Sequence, residues 1–281
     1  MLRDITIGQY YDVDSAVHRL DPRTKIIATV VYIIGLFCVK NILGFMVAGI
    51  GLLLIVNLSK IPLKFILRGL KTIIVLLLFT VVLNVFLVKG DEPPLWSWGF
   101  ISISRQGIYT AVFMAARLIL LIIGCSMMTL TTTPIELTDG LERLLRPLKK
   151  IKVPVHDIAM MMSIALRFIP ILMEETDKIM KAQTARGADF ESGGVIAKAK
   201  SLIPVLVPLF ISAFRRADEL ATAMEARCYH GDEGRTRMKE LKYHASDYVA
   251  KLLLLSFLLM LIFSRYLPSV SSIGAFLLKR W

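Results

Sequence analysis

Residues 177–187, DKIMKAQTARG, and residues 218–228, DELATAMEARC, are two versions of one segment, 41 positions apart. They lie in stretches, 173–185 and 214–226, that are rich in Glu, Met, Ala and basic residues and lack Gly and Pro, which predicts two helices. Because residues three apart share a helix face, each helix ends in a small-residue surface that carries one guanidinium. The paired positions are Asp177 and Asp218, Ala182 and Ala223, Ala185 and Ala226, and Arg186 and Arg227.

A single Ala-Arg-Gly tripeptide is a weak signal, because the helix dipole alone favours a solvated arginine at a helix C-terminus. The matched pair, each member after a long helix, favours a binding element that occurs twice. Gly187 suits a helix end, since glycine adopts the left-handed conformation without a steric penalty. Cys228 occupies the equivalent position in the second copy and lacks that advantage.

The composition is that of an integral membrane protein. Of the 281 residues, 56% are hydrophobic, and the mean hydropathy of +0.65 is too high for a soluble domain of this size. The net charge of +12 is better explained by membrane topology than by nucleic-acid binding, because the basic residues flank apolar segments. The three cysteines show no CxxC spacing, so neither a zinc site nor a disulfide framework is expected.

Five apolar runs predict an all-α polytopic protein with about five transmembrane helices. The runs are residues 26–39, 42–58, 73–88, 107–130 and 248–267. The first two follow each other at once and predict a hairpin. Small residues in the second run allow another helix to approach closely, either from this chain or from a partner: Gly44, Ala48, Gly49 and Gly51. Residues 59–71 are basic and residues 89–106 are neutral, which predicts a cytoplasmic and an external loop.

The chain is therefore expected to have four parts. These are a cytoplasmic lead-in (1–25), transmembrane helices 1–4 (26–130), a cytoplasmic domain of amphipathic coupling helices (131–247), and a last transmembrane helix with its tail (248–281). The third part begins with a predicted amphipathic helix at residues 134–150 and contains two apolar patches, 158–173 and 202–214. Both patches are short for a span and are interrupted by Arg167 or by prolines. We expect them on the cytoplasmic side, which places both arginine motifs on one side of the membrane.

The sequence contains no motif for catalysis or nucleotide binding: no GxxxxGK[ST] phosphate loop, no HExxH and no spacing typical of a Ser-His-Asp triad. We therefore expect a non-catalytic chain with no metal site and no cofactor of its own. Arg117 lies in the fourth predicted span. The cost of burying a charge in lipid predicts that its guanidinium faces protein or reaches the membrane surface.

Small residues around one guanidinium fit a groove on a soluble partner. The alanines let the two backbones approach closely, and the guanidinium makes bidentate hydrogen bonds to carboxylates or carbonyls. Two such surfaces predict two similar or identical partner subunits. A transporter chain without a nucleotide site of its own, coupled to a pair of ATPases, has this anatomy.

Residues 15–25, SAVHRLDPRTK, lead into the first apolar run. Asp21 and Pro22 form a favourable helix start, because the carboxylate accepts from free N–H groups and proline has no N–H to leave unsatisfied. With this lead-in and the paired arginine motifs, the chain resembles, over nearly its full length, the transmembrane coupling subunit of energy-coupling factor transporters, of the EcfT or CbiQ type. The lead-in residues that carry the resemblance are Ser15, His18, Asp21, Pro22, Arg23 and Lys25.

The resemblance implies that each arginine motif docks into one ABC-type ATPase. Closure of the ATPases would pass through crossed helices to a separate membrane subunit, the S component, that binds a vitamin or a transition-metal ion. ATP and Mg would be bound by the ATPases, and the complex would lie in a bacterial or archaeal cell membrane with the N-terminus and coupling helices in the cytoplasm. The residues so assigned are Ala185, Arg186, Gly187, Ala226, Arg227 and Cys228, supported by Asp177, Ala182, Asp218 and Ala223. Cys228 departs from the family, in which glycine is frequent at this position.

Two other functions are compatible with the sequence. An ion-gradient-driven secondary transporter would place Arg117 or Arg167 on the substrate path and would have inverted repeats among its spans, whereas the repeat seen here is direct. A membrane scaffold unrelated to transport would have no ATPase partner.

Overall fold

The computed structural model describes residues 10–39, 41–87, 96–98, 101–190, 194–231 and 241–266. These residues form an all-α structure, as predicted, apart from one short antiparallel ribbon. The α-helices are α1 (Pro22–Cys38), α2 (Ile42–Ser59), α3 (Leu63–Leu87), α4 (Arg105–Thr131), α5 (Pro134–Leu145), α6 (Val155–Ala185), α7 (Val195–Glu225) and α8 (Ala245–Tyr266). A 3-10 helix (Arg146–Ile151) follows α5, and the ribbon pairs β1 (Trp96–Trp98) with β2 (Ile101–Ile103). Residues 267–281, the predicted tail, lie outside the described residues.

The chain divides into two compact units. The bundle unit comprises residues 8–140 and 241–281, and the α6–α7 unit comprises residues 141–240. The bundle unit therefore holds α1 to α4, α8 and the first seven of the twelve residues of α5. The α6–α7 unit holds the end of α5, the 3-10 helix and the two long helices that carry the arginine motifs.

Helix α4 packs against the most neighbours in the bundle unit. It contacts α1, α2 and α3, while α8 contacts α1 and α2. Helices α1 and α2 are consecutive, as the expected hairpin requires, but their main packing partners are α4 and α8. The buried core between these helices is apolar and includes Leu36, Val39, Leu52, Met127 and Leu261.

The small residues of α2 explain this packing, and at Gly44 and Gly51 the predicted close approach occurs within this chain. A Cβ atom at Gly44 would lie 2.6 Å from Val39 Cγ1 and 2.8 Å from Ser264 Oγ, and one at Gly51 would lie 2.6 Å from the Phe257 ring of α8. Gly49 faces open space. Because spanning helices are apolar on every side, the fit of small residues decides which faces pack.

Two boundaries predicted from the sequence are wrong. Residues 63–71, expected in a cytoplasmic loop, form the start of α3, since six of the nine are Leu, Lys or Arg, which favour helix, and they follow Pro62. The amphipathic helix expected at residues 134–150 ends as an α-helix at Leu145. Pro147 has no N–H and its ring obstructs an α-helical path, so the chain continues as the 3-10 helix.

Among the described residues, four helical segments are long and apolar enough to cross a membrane: Ile42–Ser59, Gln106–Thr131, Val155–Ala185 and Ala245–Ser264. The bent pair Leu63–Lys71 and Ile73–Leu87 makes a fifth if it is one span. The number agrees with the prediction, but the set does not. Helix α1 is not in this set, because its 17 residues are few for a membrane span. Helix α6 is in the set, because it runs unbroken through Arg167 and Pro170 for 31 residues.

Gly44→Ala tests the packing of α2. We expect this variant to lose roughly 1–3 kcal/mol of stability through overpacking, because the new methyl group meets buried Val39 and Ser264. The thermal midpoint of the detergent-solubilised chain measures the loss. Gly49→Ala makes the same change in the same helix at an open position and should leave the midpoint unchanged or raise it. Equal midpoints for the two variants would contradict the assignment.

Candidate functional site

The two arginine motifs end two helices of equal length. Helices α6 and α7 have 31 residues each, and both continue through internal prolines. The helices predicted at residues 173–185 and 214–226 are the C-terminal parts of these longer helices. Arg186 directly follows the last residue of α6, and Arg227 is the second residue after α7.

The backbone hydrogen bonds at the two helix ends match one for one. Every donor and acceptor in one end is 41 residues from its counterpart in the other, and both ends close with N–H groups reaching three and five residues back, as in a Schellman motif. The N–H to O bonds are Arg186 to Gln183 (3.0 Å), Gly187 to Thr184 (2.9 Å) and Ala188 to Gln183 (3.0 Å), against Arg227 to Met224 (3.1 Å), Cys228 to Glu225 (2.9 Å) and Tyr229 to Met224 (3.1 Å).

Cys228 takes the backbone conformation of the glycine that it replaces. Its φ angle is +56°, and that of Gly187 is +89°, so both residues are in the left-handed region. The geometry of the second motif, which the sequence left open, therefore matches that of the first. A side chain in this conformation costs about 1 kcal/mol, and the matching hydrogen bonds offset that cost.

The motif side chains are presented to the outside of the unit. Arg186 and Arg227 are exposed, as are the alanines beside them. Within the part of the chain that the structure describes, neither guanidinium is bonded to another side chain. Each motif therefore presents one exposed arginine beside a surface of small residues. These residues are Ala182, Ala185 and Gly187 at the first motif and Ala223, Ala226 and Cys228 at the second. Of the supporting acids, Asp177 is half-buried and Asp218 is exposed.

Helices α6 and α7 contact each other at equivalent positions of the repeat. Arg216 Nη2 donates to Glu175 Oε2 at 3.3 Å, and these residues are 41 positions apart, the same offset that relates the motifs. Equivalent positions meet in this way where two copies are related by an approximate two-fold axis. From the contact, Arg186 and Arg227 are each 11 residues further along, or about 16 Å of helix.

Glu175 and Arg216 were not predicted as site residues from the sequence. The signal was present in the same alignment, since a Glu and an Arg occupy one position of the two copies. The pair itself is a weak link, because its side chains are 27% and 36% exposed, and such pairs contribute between zero and about 1 kcal/mol. Its value lies in showing where the two helices meet.

Both long helices expose apolar side chains before they reach the contact. On α7 these include Leu206, Phe210 and Phe214, and on α6 Ile158 and Met161. Water is a poor environment for such a surface, so the surface requires lipid or an apolar partner. Arg167 on α6 is exposed beside it.

In the described ranges, no three His, Cys, Asp or Glu side chains are grouped to hold a metal ion.

The lead-in residues build a polar junction in the bundle unit. Asp21 caps α1 by accepting from the Arg23 N–H, and its carboxylate also receives Arg23 Nε at 2.9 Å and Nη2 at 2.7 Å. The Asp21 N–H donates to Asp247 Oδ1 at 2.8 Å, and Arg23 Nη2 donates to the carbonyl of Leu241 at 3.1 Å. The start of α1 is thereby bonded to the start of α8.

Lys25 extends the junction to α4. Its Nζ donates to the carbonyl of Thr131, the last residue of α4, at 2.7 Å and to the carbonyl of His18 at 2.9 Å. His18 in turn bonds Ser15 Oγ through Nδ1 at 2.6 Å and the Tyr11 carbonyl through Nε2 at 3.0 Å. His18 thus has a structural role in the lead-in.

Asp21 and His18 have shifted pKa values. Burial alone would raise the pKa of Asp21, but the hydrogen bonds and charge of Arg23 outweigh burial and hold that pKa below its ordinary value. Burial lowers the pKa of His18 and favours its neutral form.

Pro22 packs closely on α5, where a Cβ at Gly140 would lie 3.0 Å from Pro22 Cβ. These contacts fix the geometry of the junction within the bundle unit.

Asp247 was also missed from the sequence. It is fully buried, and besides Asp21 it accepts from the His244 N–H at 2.8 Å. It follows the lead-in by more than two hundred residues, so no local pattern connects the two. Tyr243 was missed for the same reason, and its ring lies 3.9 Å from the Arg23 guanidinium.

Arg117 faces protein, as its cost in lipid predicted. Its Nη2 donates to the carbonyl of Val39, just after the end of α1, at 2.9 Å. The rings of Phe37 and Phe45 lie 5.8 and 5.6 Å from the guanidinium. A cation at a helix C-terminus is favoured by the dipole and by the free carbonyls there. This geometry gives Arg117 a structural role in holding α4 to α1.

Comparison with known proteins gives consistent matches over most of the chain. Residues 14–238 match the family model CbiQ, described as cobalt transport protein. The energy-coupling factor transporter transmembrane protein EcfT of Clostridium kluyveri is 57% identical over 265 residues, which cover 94% of this chain and 98% of that protein. The EcfT proteins of Ruminiclostridium cellulolyticum and Bacillus subtilis are 59% and 49% identical over 247 residues, covering 88% of this chain and 92% and 93% of those proteins.

These matches confirm the resemblance noted in the sequence. The chain belongs to the CbiQ family, among the multi-pass transmembrane components of energy-coupling factor transporters.

Proposed function

We propose that this chain is the non-catalytic coupling subunit of an ATP-driven importer. Its two arginine motifs each dock one of two similar or identical ABC-type ATPases, and α6 and α7 transmit the motion of these ATPases to a separate substrate-binding membrane subunit. That S component takes up a vitamin or a transition-metal ion. ATP and Mg are bound by the ATPases, and the N-terminus and the motifs lie on the cytoplasmic side of the cell membrane.

The observation that carries the proposal is the identity of the two helix ends. Equivalent hydrogen bonds, a residue in the left-handed conformation and an exposed arginine occur at both, and Cys228 keeps this geometry despite its side chain. Two surfaces with this shared geometry fit two identical or similar grooves. A single regulatory or scaffolding contact would not require the second copy.

The contact between α6 and α7 supports a mechanical role. The helices meet at Glu175 and Arg216, and equal lengths of rigid helix separate this contact from Arg186 and Arg227. If both ATPases move together, the helical segments 175–186 and 216–227, which have equal length, are displaced equally. A change in the angle between α6 and α7 then reaches their apolar parts, where a membrane subunit would be contacted.

The secondary-transporter alternative receives no support from Arg117. Its guanidinium donates to a helix-end carbonyl and lies near two aromatic rings, and these contacts support a structural role. Arg167 is exposed on α6 within an apolar surface. We therefore assign neither residue to a substrate path.

Charge reversal at the motifs tests the docking. We expect Arg186→Glu or Arg227→Glu to weaken ATPase association by roughly 2–4 kcal/mol, because each guanidinium would be a desolvated hot spot. The double variant should lose association and substrate uptake together. The measurement is the amount of ATPase that co-purifies with the tagged chain, at equal thermal midpoints.

Lys181→Glu is the matched control. It reverses an exposed charge on α6 five residues before Arg186, so it should leave co-purification unchanged if the motif and not general charge binds the ATPase. Unchanged recovery of ATPase with the Arg186→Glu, Arg227→Glu double variant would refute the docking role.

The left-handed residue of the second motif gives a separate prediction. Cys228→Gly should preserve or strengthen ATPase recovery, whereas Cys228→Val should reduce it, because a β-branched residue strongly disfavours positive φ. The same co-purification assay reads the effect. Cys125→Val makes the same replacement inside α4, where φ is helical, and should have no effect. Full recovery with Cys228→Val would show that this helix end is not part of the interface.

A further inference from the structure

The connection between α5 and α6 is strongly basic and contains no acid. Residues 143–152, RLLRPLKKIK, include five cations, and the next acid in the chain is Asp157. Arg146, Lys150 and Lys152 are exposed. This segment belongs entirely to the α6–α7 unit and lies at the opposite end of α6 from Arg186.

The 3-10 helix sorts these residues into rows. With three residues per turn, positions i and i+3 lie directly above one another. Leu145, Leu148 and Ile151 therefore form one row, the apolar ridge, and Arg146, Lys149 and Lys150 lie in the two other rows. The apolar ridge is open to the outside, since its side chains are 37%, 37% and 71% exposed, and it is about 12 Å long at 2 Å per residue.

The shape of the segment is fixed at both ends. At its base, His156 Nδ1 and Glu142 Oε1 are 3.0 Å apart, and both side chains are largely buried. At its far end, Lys152 adopts a left-handed conformation with φ +62°, and its N–H donates to the carbonyl of Lys149 at 3.1 Å. The carboxylate nearest in sequence, that of Glu142, is thus bonded to His156, and residues 143–152 themselves contain no acid.

An apolar row flanked by cations matches the boundary of an anionic bilayer. Interfacial segments place apolar side chains at the level where headgroups meet acyl chains and keep Lys and Arg among the phosphates. An acidic protein surface would satisfy the cations but would leave Ile151 in a polar contact. Helix α6 continues the apolar surface directly after the segment, with Ile158, Met161 and Met162 exposed.

We infer that residues 145–152 form a binding surface for anionic phospholipid. The apolar ridge enters the boundary between headgroups and acyl chains, and Arg146, Lys150 and Lys152 contact lipid phosphates. Each such cation contributes roughly a fivefold preference for the anionic surface. The inference goes beyond the proposed function and does not depend on it, because the surface uses none of the motif residues.

Hydrogen–deuterium exchange of the full chain in nanodiscs tests the inference. Nanodiscs of phosphatidylcholine alone are compared with nanodiscs that also contain phosphatidylglycerol. We expect the amides of residues 146–152 to exchange several-fold more slowly with phosphatidylglycerol present, and to lose this protection when salt is raised, because salt screens exposed charges. The salt series needs no variant and so does not depend on whether a variant folds.

Variants locate the effect. Arg146→Gln, Lys150→Gln and Lys152→Gln together should abolish the protection by phosphatidylglycerol, and Ile151→Ser should reduce it without a change of charge. Lys181→Gln, Lys198→Gln and Lys200→Gln remove the same total charge from exposed positions of α6 and α7 and should retain it.

Three outcomes would overturn the inference. They are equal exchange in both kinds of nanodisc, protection that survives the Arg146, Lys150 and Lys152 triple variant, and loss of ATPase from that triple variant in detergent without phosphatidylglycerol. The last outcome would make the segment a protein interface. Loss of ATPase through the Arg186 and Arg227 variants alone leaves the lipid surface unaffected, so the two proposals fail separately.

Discussion

Glu175 and Arg216 occupy one position of a duplicated helix, and the two copies touch there. Because the contact joins equivalent positions, the helical distance from Glu175 to Arg186 equals that from Arg216 to Arg227. The ion pair itself contributes little free energy. The constraint comes from the duplication, which gives both helices the same length, equivalent terminal hydrogen bonds and a left-handed residue at the same position.

The bundle unit uses cations to satisfy helix ends. Lys25 donates to the last carbonyl of α4, and Arg117 donates to the carbonyl that follows α1. Helix C-termini leave carbonyls without partners, and these are costly where water is scarce. Two charged residues that invite a functional reading are therefore explained by the fold. The carboxylate of Asp247 likewise accepts hydrogen bonds from the backbone N–H groups of Asp21 and His244.

The sequence predicted the elements that depend on local chemistry. The helix start at Asp21 and Pro22 and the two arginine helices follow from capping, propensity and repetition. Long-range contacts had no local signal: the bond from Asp21 to Asp247, and the packing of Gly44 against Ser264. The full extent of α6 was underestimated because Arg167 and Pro170 read as interruptions, yet the helix continues through both. Cys228 shows the converse, since hydrogen bonding imposed a conformation that its side chain disfavours.

The central claim is that one chain presents two equivalent docking surfaces to two ATPases. Native mass spectrometry of the complex, purified gently from its own membrane through a tag on this chain, measures that stoichiometry directly. We expect one copy of this chain with two ATPase subunits, alike or identical, and one small membrane protein. A stable complex with a single ATPase, or this chain alone from membranes in which such ATPases are abundant, would contradict it.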